Sequence, residues 1–318
     1  MKNLGAFDIE GSQLCFLVAC PRSGTTILAQ TLREHDSIAH LYDPYYLWDW
    51  HPHPDADDWR GAEDFSEEQA NFLRHNYAAF YRSQFGKSTD GMVLDQGPEK
   101  AFRIELIRRV FPAAKFLHQH RDGRAVTVSI QREWDKRRHY IENQNLRKFF
   151  AIIAESLGEQ PILKYKALLL AHEARKRLSN LSPQRLFSAQ GLMNKAKWAG
   201  KMGWGPRFAG WQSTYDQVDE LSFCAHQWRA SEDAIALSAE ELKRDQRLHV
   251  LSFESLLADP AESLNSLQRF LNVPVKRINS EGLDPAIADT WRHQLDAEQG
   301  ARVEHVIGEN LLKLGYQL

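Results

Sequence analysis

The segment that most restricts the fold is an unbroken apolar run, Leu14 to Ala19 (LCFLVA), stopped by Pro21 and followed by a Pro-Arg-Ser-Gly turn. A strand with no polar alternation needs cover on both faces, which a parallel sheet between two helical layers provides. After Gly24, Thr25 to Arg33 (TTILAQTLR) takes helical spacing, so the unit reads as strand, glycine turn, helix. The same order recurs downstream. Strands are expected over Ser37–Leu41, Met92–Asp95, Lys115–His120 and Leu248–Phe253. Between them the spacing predicts helices over Asp64–Phe85, Pro98–Val110, Arg124–Lys136, Tyr215–Arg244 and Asp259–Leu271, with Asp122 as an N-cap and prolines in two first turns. Residues 43–59 are rich in Tyr, Trp and Pro, too broken for regular structure and too aromatic for an idle linker. Alternating strands and helices imply an α/β fold, a parallel sheet flanked by helices.

Composition narrows the function classes. With 43% hydrophobic and 26% charged residues the chain of 318 is neither disordered nor collagenous, and its three cysteines make no disulfide framework or metal spacing. A net charge of −2 is a poor electrostatic match for nucleic acid, so no nucleic-acid partner is expected. No 18-residue apolar run occurs and the N-terminus has no leader pattern, so a cytoplasmic chain without a membrane anchor is expected. Charge is uneven, however. Residues 132–207 carry sixteen Lys or Arg against six Asp or Glu, a surplus of ten that leaves −12 elsewhere. The simplest division is one domain spanning 1–318 with a basic helical insertion at about 132–207. That insertion could gather an anionic acceptor or could simply be a solvated face. Trp198, Trp204 and Trp211 could form a sugar-stacking wall or a hydrophobic closure.

Against the nucleotide-loop pattern GxxxxGK[ST], Ala19 to Thr26 (ACPRSGTT) keeps Gly24 and the final hydroxyl of Thr26, has Ala19 for the first glycine and Thr25 for the lysine. Backbone N–H groups at the start of a helix still favour a diphosphate-like anion, and a cation has moved to Arg22. The fold expectation is therefore a P-loop-type sheet whose loop is ill suited to hydrolysing a nucleoside triphosphate. An atypical P-loop kinase is the alternative from another enzyme class, and a non-catalytic module holding adenosine bisphosphate or a sulfated glycan is a third.

PRSGTT after a buried strand resembles the 5′-phosphosulfate loop of sulfotransferases that use 3′-phosphoadenosine 5′-phosphosulfate (PAPS), in the bacterial and Golgi-like carbohydrate and tyrosyl branch. A second resemblance is Arg121-Asp122-Gly123-Arg124 after the Lys115–His120 strand, with Ser129 eight residues beyond Arg121. Weaker ones are Glu254–Leu271, Trp211–Leu237 and Trp291-Arg292. The resemblance implies that PAPS is the co-substrate, held at Arg22, Ser23, Gly24, Thr25 and Thr26 on the phosphosulfate side and by Arg121, Ser129 and Arg292 on the 3′-phosphate side. It implies transfer of a sulfuryl group to a hydroxyl of a glycan or related metabolite, with no metal. Arg22 would stabilise the leaving phosphate. The base in this branch is a carboxylate soon after the second strand, which here is Asp43, with His40, His51 and His53 as other candidates. Where the cytosolic small-molecule branch has Lys-Thr-x-His, this chain reads Asp95-Gln96-Gly97-Pro98, so Gln96 is left to hydrogen-bond the sulfate. The acceptor's identity and the oligomeric state have no signal in the sequence.

Overall fold

In the computed structural model, β1 (Leu14–Val18) is buried along its whole length, as its composition requires, and occupies the centre of a five-stranded sheet. The structure describes residues 7–8, 10–42, 44–48, 57–142, 198, 203–280 and 282–318. The strand order is β2-β3-β1-β4-β5, with β2 at Ile38–Tyr42, β3 at Met92–Gln96, β4 at Lys115–His120 and β5 at Leu248–Ser252. All four pairings are parallel, and their register sets Phe16 beside Asp95 and Phe116, and Tyr42 beside Gln96. The expected α/β architecture is the one observed.

Helices cover the sheet. They are α1 (Thr25–Leu32), α2 (Glu67–Phe85), α3 (Ile104–Val110), α4 (Gly123–Glu142), α5 (Trp211–Gln217), α6 (Glu220–Arg244), α7 (Phe253–Ala258), α8 (Pro260–Leu271) and α9 (Ala297–Lys313). On one face Cys15, Leu17 and Leu117 pack with Leu28 and Leu32 of α1 and with Leu264 and Leu267 of α8. On the other, Phe16 meets Trp48, Tyr77, Phe111 and Phe116 with ring centroids about 6 Å apart. Burying such side chains contributes roughly 1.5–3 kcal/mol each.

Two expected helices divide. Pro98–Val110 becomes a 3₁₀ segment, Pro98–Phe102, and α3, separated by Arg103 at φ −132°. Tyr215–Arg244 becomes α5 and α6, because Asp219 takes extended backbone and caps α6 by accepting from the Ser222 N–H at 3.0 Å. The stretch read as irregular holds one helical turn, Tyr45–Trp48.

Contacts divide the chain into two compact units, one of Met1–His51, Ala56–Gln131 and Gly205–Leu318, the other of Pro52–Asp55 and Arg132–Trp204. The first holds the whole sheet. In the second, Trp134 donates from Nε1 to the Trp204 carbonyl at 2.9 Å and meets Trp198 edge-on at 5.8 Å. Most of the basic stretch, 143–197 and 199–202, lies outside the described residues. Trp198 and Trp211 are buried, so neither offers a face to a sugar.

Candidate active site

Strand order locates the site before any side chain is considered. The chain leaves β1 toward β2 on one side of the sheet and leaves β4 toward β5 on the other. Open α/β sheets bind ligands at such a reversal, in the crevice beyond the carboxyl ends of the two strands. Here that crevice lies between the 19–24 loop after β1 and the 121–124 turn after β4.

The loop is built for an anion. Gly24, at φ 88°, is the N-cap of α1 and supplies no side-chain cap, and the first turn has no acidic residue. Its N–H groups have no partner within the helix and carry the positive end of the dipole. Glycine is required twice at position 24, for its left-handed backbone and because a Cβ would stand 2.3 Å from the Phe253 ring. Arg22 is also left-handed, at φ 76°, which aims its guanidinium across the crevice. Ser23 is fully buried and its hydroxyl has no hydrogen-bond partner.

Opposite, Asp122 caps α4 by accepting from the Arg124 N–H at 2.9 Å. Arg121 is buried, stacked 4.7 Å over the Phe253 ring, and donates from Nη2 to the Ile287 carbonyl at 3.1 Å, while its Nε has no partner. Burial pushes the Arg121 pKa down, Glu254 and Asp122 counter that, and the charge on Arg22 adds to the lowering. Two guanidiniums therefore share one crevice and feel each other's charge. The two motifs meet directly: Arg22 donates from Nε to Ser129 Oγ at 3.0 Å, across 107 positions of sequence. A buried hydroxyl and a buried guanidinium N–H without partners, beside a free helix N-terminus, are the groups a phosphorylated ligand would satisfy.

Residues 15–157 match the family model described as "Sulfotransferase family". That segment contains the loop, the turn and Ser129. The match is therefore confined to the part of the chain that carries both anion-facing motifs. A sequence search of curated proteins finds no match. Among solved structures, the chain is similar to the sulfotransferase domain from the curacin biosynthetic pathway, at 14% identity and a TM-score of 0.51, covering 96% of this chain and 98% of that one. It is also similar to the sulfotransferase domain from the Synechococcus PCC 7002 olefin synthase, at 15% identity and a TM-score of 0.49 with complete coverage of both. A mouse sulfotransferase complexed with PAP matches at 13% identity and a TM-score of 0.40, covering 97% of this chain and 87% of that one.

Alternation along β3 divides the roles of two neighbours. Asp95 faces the aromatic layer, 1% exposed, where Lys100 Nζ lies 3.4 Å away and the Tyr77 hydroxyl donates to it. Burial raises its pKa to about 6 against the pull of Lys100 and Tyr77. It is a core ion pair, sealed from substrate. Gln96 faces the loop instead, donating from Nε2 to Thr25 Oγ1 at 3.1 Å and Thr26 Oγ1 at 3.3 Å. Its carbonyl lies 3.1 Å from His40 Nε2, and burial lowers the His40 pKa to about 4. An imidazole that acidic is a weak base at neutral pH.

Other candidates distribute as follows. Asp43, His51 and His53 lie outside the described residues. Arg292 is on the surface, bonded from Nε to Asp289 at 2.8 Å and stacked 4.9 Å over Trp291. Trp291 is shared with Arg124, 4.6 Å from the ring. Arg124 is committed to structure: it grips Asp122 through two nitrogens and reaches Glu304 and the Gln317 carbonyl.

Sequence reasoning missed the support behind Arg121. Glu254 accepts from the Asp122 N–H at 3.0 Å on one oxygen and from the Tyr316 hydroxyl at 2.8 Å on the other. Because a carboxylate and a backbone N–H each allow one direction, Tyr316 must donate to Glu254 and accept from His120 Nδ1, 2.9 Å away. Burial holds His120 neutral, lowering its pKa to about 4, with His118 adding to the effect. Tyr316 is 62 positions from Glu254 and 196 from His120. No local pattern links residues so far apart. Among the described residues no cluster of His, Cys, Asp and Glu could hold a metal, and no helix is long and apolar enough to cross a membrane.

Proposed function

We propose that the protein transfers a sulfuryl group from PAPS to a hydroxyl of a glycan or related metabolite. The observation that carries this reading is the Arg22–Ser129 contact, which joins the phosphosulfate-type loop to the 3′-phosphate-type turn in one crevice. In this reading Ser23, Gly24, Thr25, Thr26 and Arg22 hold the 5′-phosphosulfate, while Arg121 and Ser129 hold the 3′-phosphate. Arg292 closes the 3′ side if it exchanges its exposed Asp289 partner for the nucleotide, which an exposed pair worth about 0–1 kcal/mol permits.

Sulfuryl transfer needs charge compensation on the departing phosphate and a base for the acceptor proton; phosphoryl transfer is the nearest template. Arg22 and the α1 N–H groups compensate the charge, each well-placed donor contributing roughly 3–4 kcal/mol in comparable anion holes. The acceptor hydroxyl loses its proton to Asp43 as its oxygen bonds to sulfur and the bond from sulfur to the phosphate oxygen breaks, leaving adenosine 3′,5′-bisphosphate. The low pKa of His40 and the sealed position of Asp95 favour Asp43 over both.

Calorimetric titration with adenosine 3′,5′-bisphosphate against ADP tests the class. Preference for the bisphosphate supports it, and preference for ADP with Mg²⁺ returns the kinase alternative. Asp43→Asn should retain PAPS affinity and lose transfer to any acceptor found by screening hydroxylated metabolites and polysaccharides with labelled PAPS. A fully active variant removes Asp43 from the role.

A further inference from the structure

The loop lacks a lysine where the nucleotide-loop pattern has one, and two threonine hydroxyls occupy that corner of the crevice. A hydroxyl has one proton and two lone pairs, so it attracts or repels an anion according to which side its neighbours take up. Gln96 Nε2 lies within hydrogen-bond distance of both Thr25 Oγ1 and Thr26 Oγ1. An amide nitrogen only donates. Its two protons therefore occupy a lone pair on each hydroxyl, leaving both hydroxyl protons to point elsewhere.

The opposite arrangement is equally compact. With the amide turned end for end, the threonines would donate to its oxygen and present lone pairs to the crevice. Gln96 is 7% exposed, so water does not choose between the two. The choice falls to the group at the other end of the amide, His40 Nε2, at 3.1 Å. An imidazole protonated on Nε2 can only donate there, which holds the amide oxygen toward β2 and the amide nitrogen toward the loop.

We infer that His40 is a positioning residue for sulfuryl transfer: by donating from Nε2 to Gln96 Oε1 it sets the direction of the amide and turns the Thr25 and Thr26 hydroxyl protons toward the transferring group. The inference rests on the sulfotransferase reading above. It gives this chain a neutral substitute for the absent loop cation, two oriented hydroxyl donors in place of one ammonium. The neutral state of His40 serves the role, since the imidazole then offers one defined donor and adds no charge of its own.

PAPS and adenosine 3′,5′-bisphosphate differ only in the sulfuryl group, so titrating both isolates contacts to it without any acceptor. In His40→Leu the Kd for PAPS should rise about tenfold, the worth of one charge-assisted hydrogen bond, while the bisphosphate Kd stays within about twofold. His40→Gln, which brings an amide nitrogen near the place of Nε2, should recover most of the loss. Gln96→Ala should reproduce the PAPS-specific effect, and the double variant should add nothing to it. Equal weakening for both ligands, additive losses or an unchanged PAPS Kd would each overturn the inference. Nitrogen NMR of the ligand-free native protein should place the His40 proton on Nε2, and a proton on Nδ1 would overturn it as well. Failure of the native protein to bind either nucleotide would instead overturn the sulfotransferase reading, and the NMR measurement still reads the relay alone.

Discussion

Arg22 holds a left-handed backbone that costs a non-glycine residue about 1–2 kcal/mol, and the return is a guanidinium carried across the crevice to Ser129. Arg121 shows the complementary economy, a cation buried on Phe253 with one N–H left unsatisfied. If that N–H serves the 3′-phosphate, Arg121→Ala should weaken adenosine 3′,5′-bisphosphate by roughly 2–3 kcal/mol, or about 30- to 150-fold, by titration. Binding of adenosine 5′-phosphosulfate, which has no 3′-phosphate, should change little. Both arginines and Ser129 are legible in the sequence because each sits in a short motif at a strand end. The joint work of His40 and Gln96 is not, because it depends on the side-by-side register of β2 and β3.

At the scale of elements, the caps explain both what was foreseen and where boundaries moved. Asp122, Asp219 and Asp259 each accept an N–H in the first turn of the helix that follows, and such a bond stabilises by about 1 kcal/mol. Asp219 ends the expectation of one long helix from Tyr215, since the capping residue itself takes extended backbone. The segment after α9 has a role that spacing does not reveal. Through Tyr316 it braces Glu254, and through Gln317 it holds Arg124, so both ends of the 121–124 turn are anchored to it. Tyr316→Phe should therefore cost about 1–3 kcal/mol, read as a lower urea midpoint, because Glu254 loses a donor and the His120 N–H loses its acceptor. Affinity for the bisphosphate should fall with it, as the turn carrying Arg121 loosens.

For the whole molecule, three buried groups with large shifts contribute to the pH dependence of stability. His40 and His120 have folded pKa values of about 4 against an ordinary 6.5, so between those values the unfolded chain binds two more protons there. Asp95 works the other way, with a folded pKa of about 6 against 3.8, and releases one proton on unfolding. Near pH 5 these three groups together take up about one proton on unfolding, so they make stability fall as pH drops from 6.5 toward 4, by roughly 1 kcal/mol per pH unit. Urea midpoints measured across that range should show it. His120→Asn should flatten the slope, since it removes one of the buried histidines that take up a proton on unfolding.

What the sequence determined by itself were the units: the apolar β1 run, the glycine turn, the Asp122 cap and the two arginine motifs, all of which act within about ten residues of chain. Backbone sterics, capping and hydrophobic period are local forces and leave local marks. The tertiary structure alone decided that β1 and β4 are neighbours, that Arg22 therefore meets Ser129, that Asp95 is sealed away while Gln96 reaches the loop, and that Tyr316 returns to brace the turn. Those outcomes follow from strand order and side-chain packing over separations of tens to nearly two hundred residues, where no single residue's preference specifies its partner.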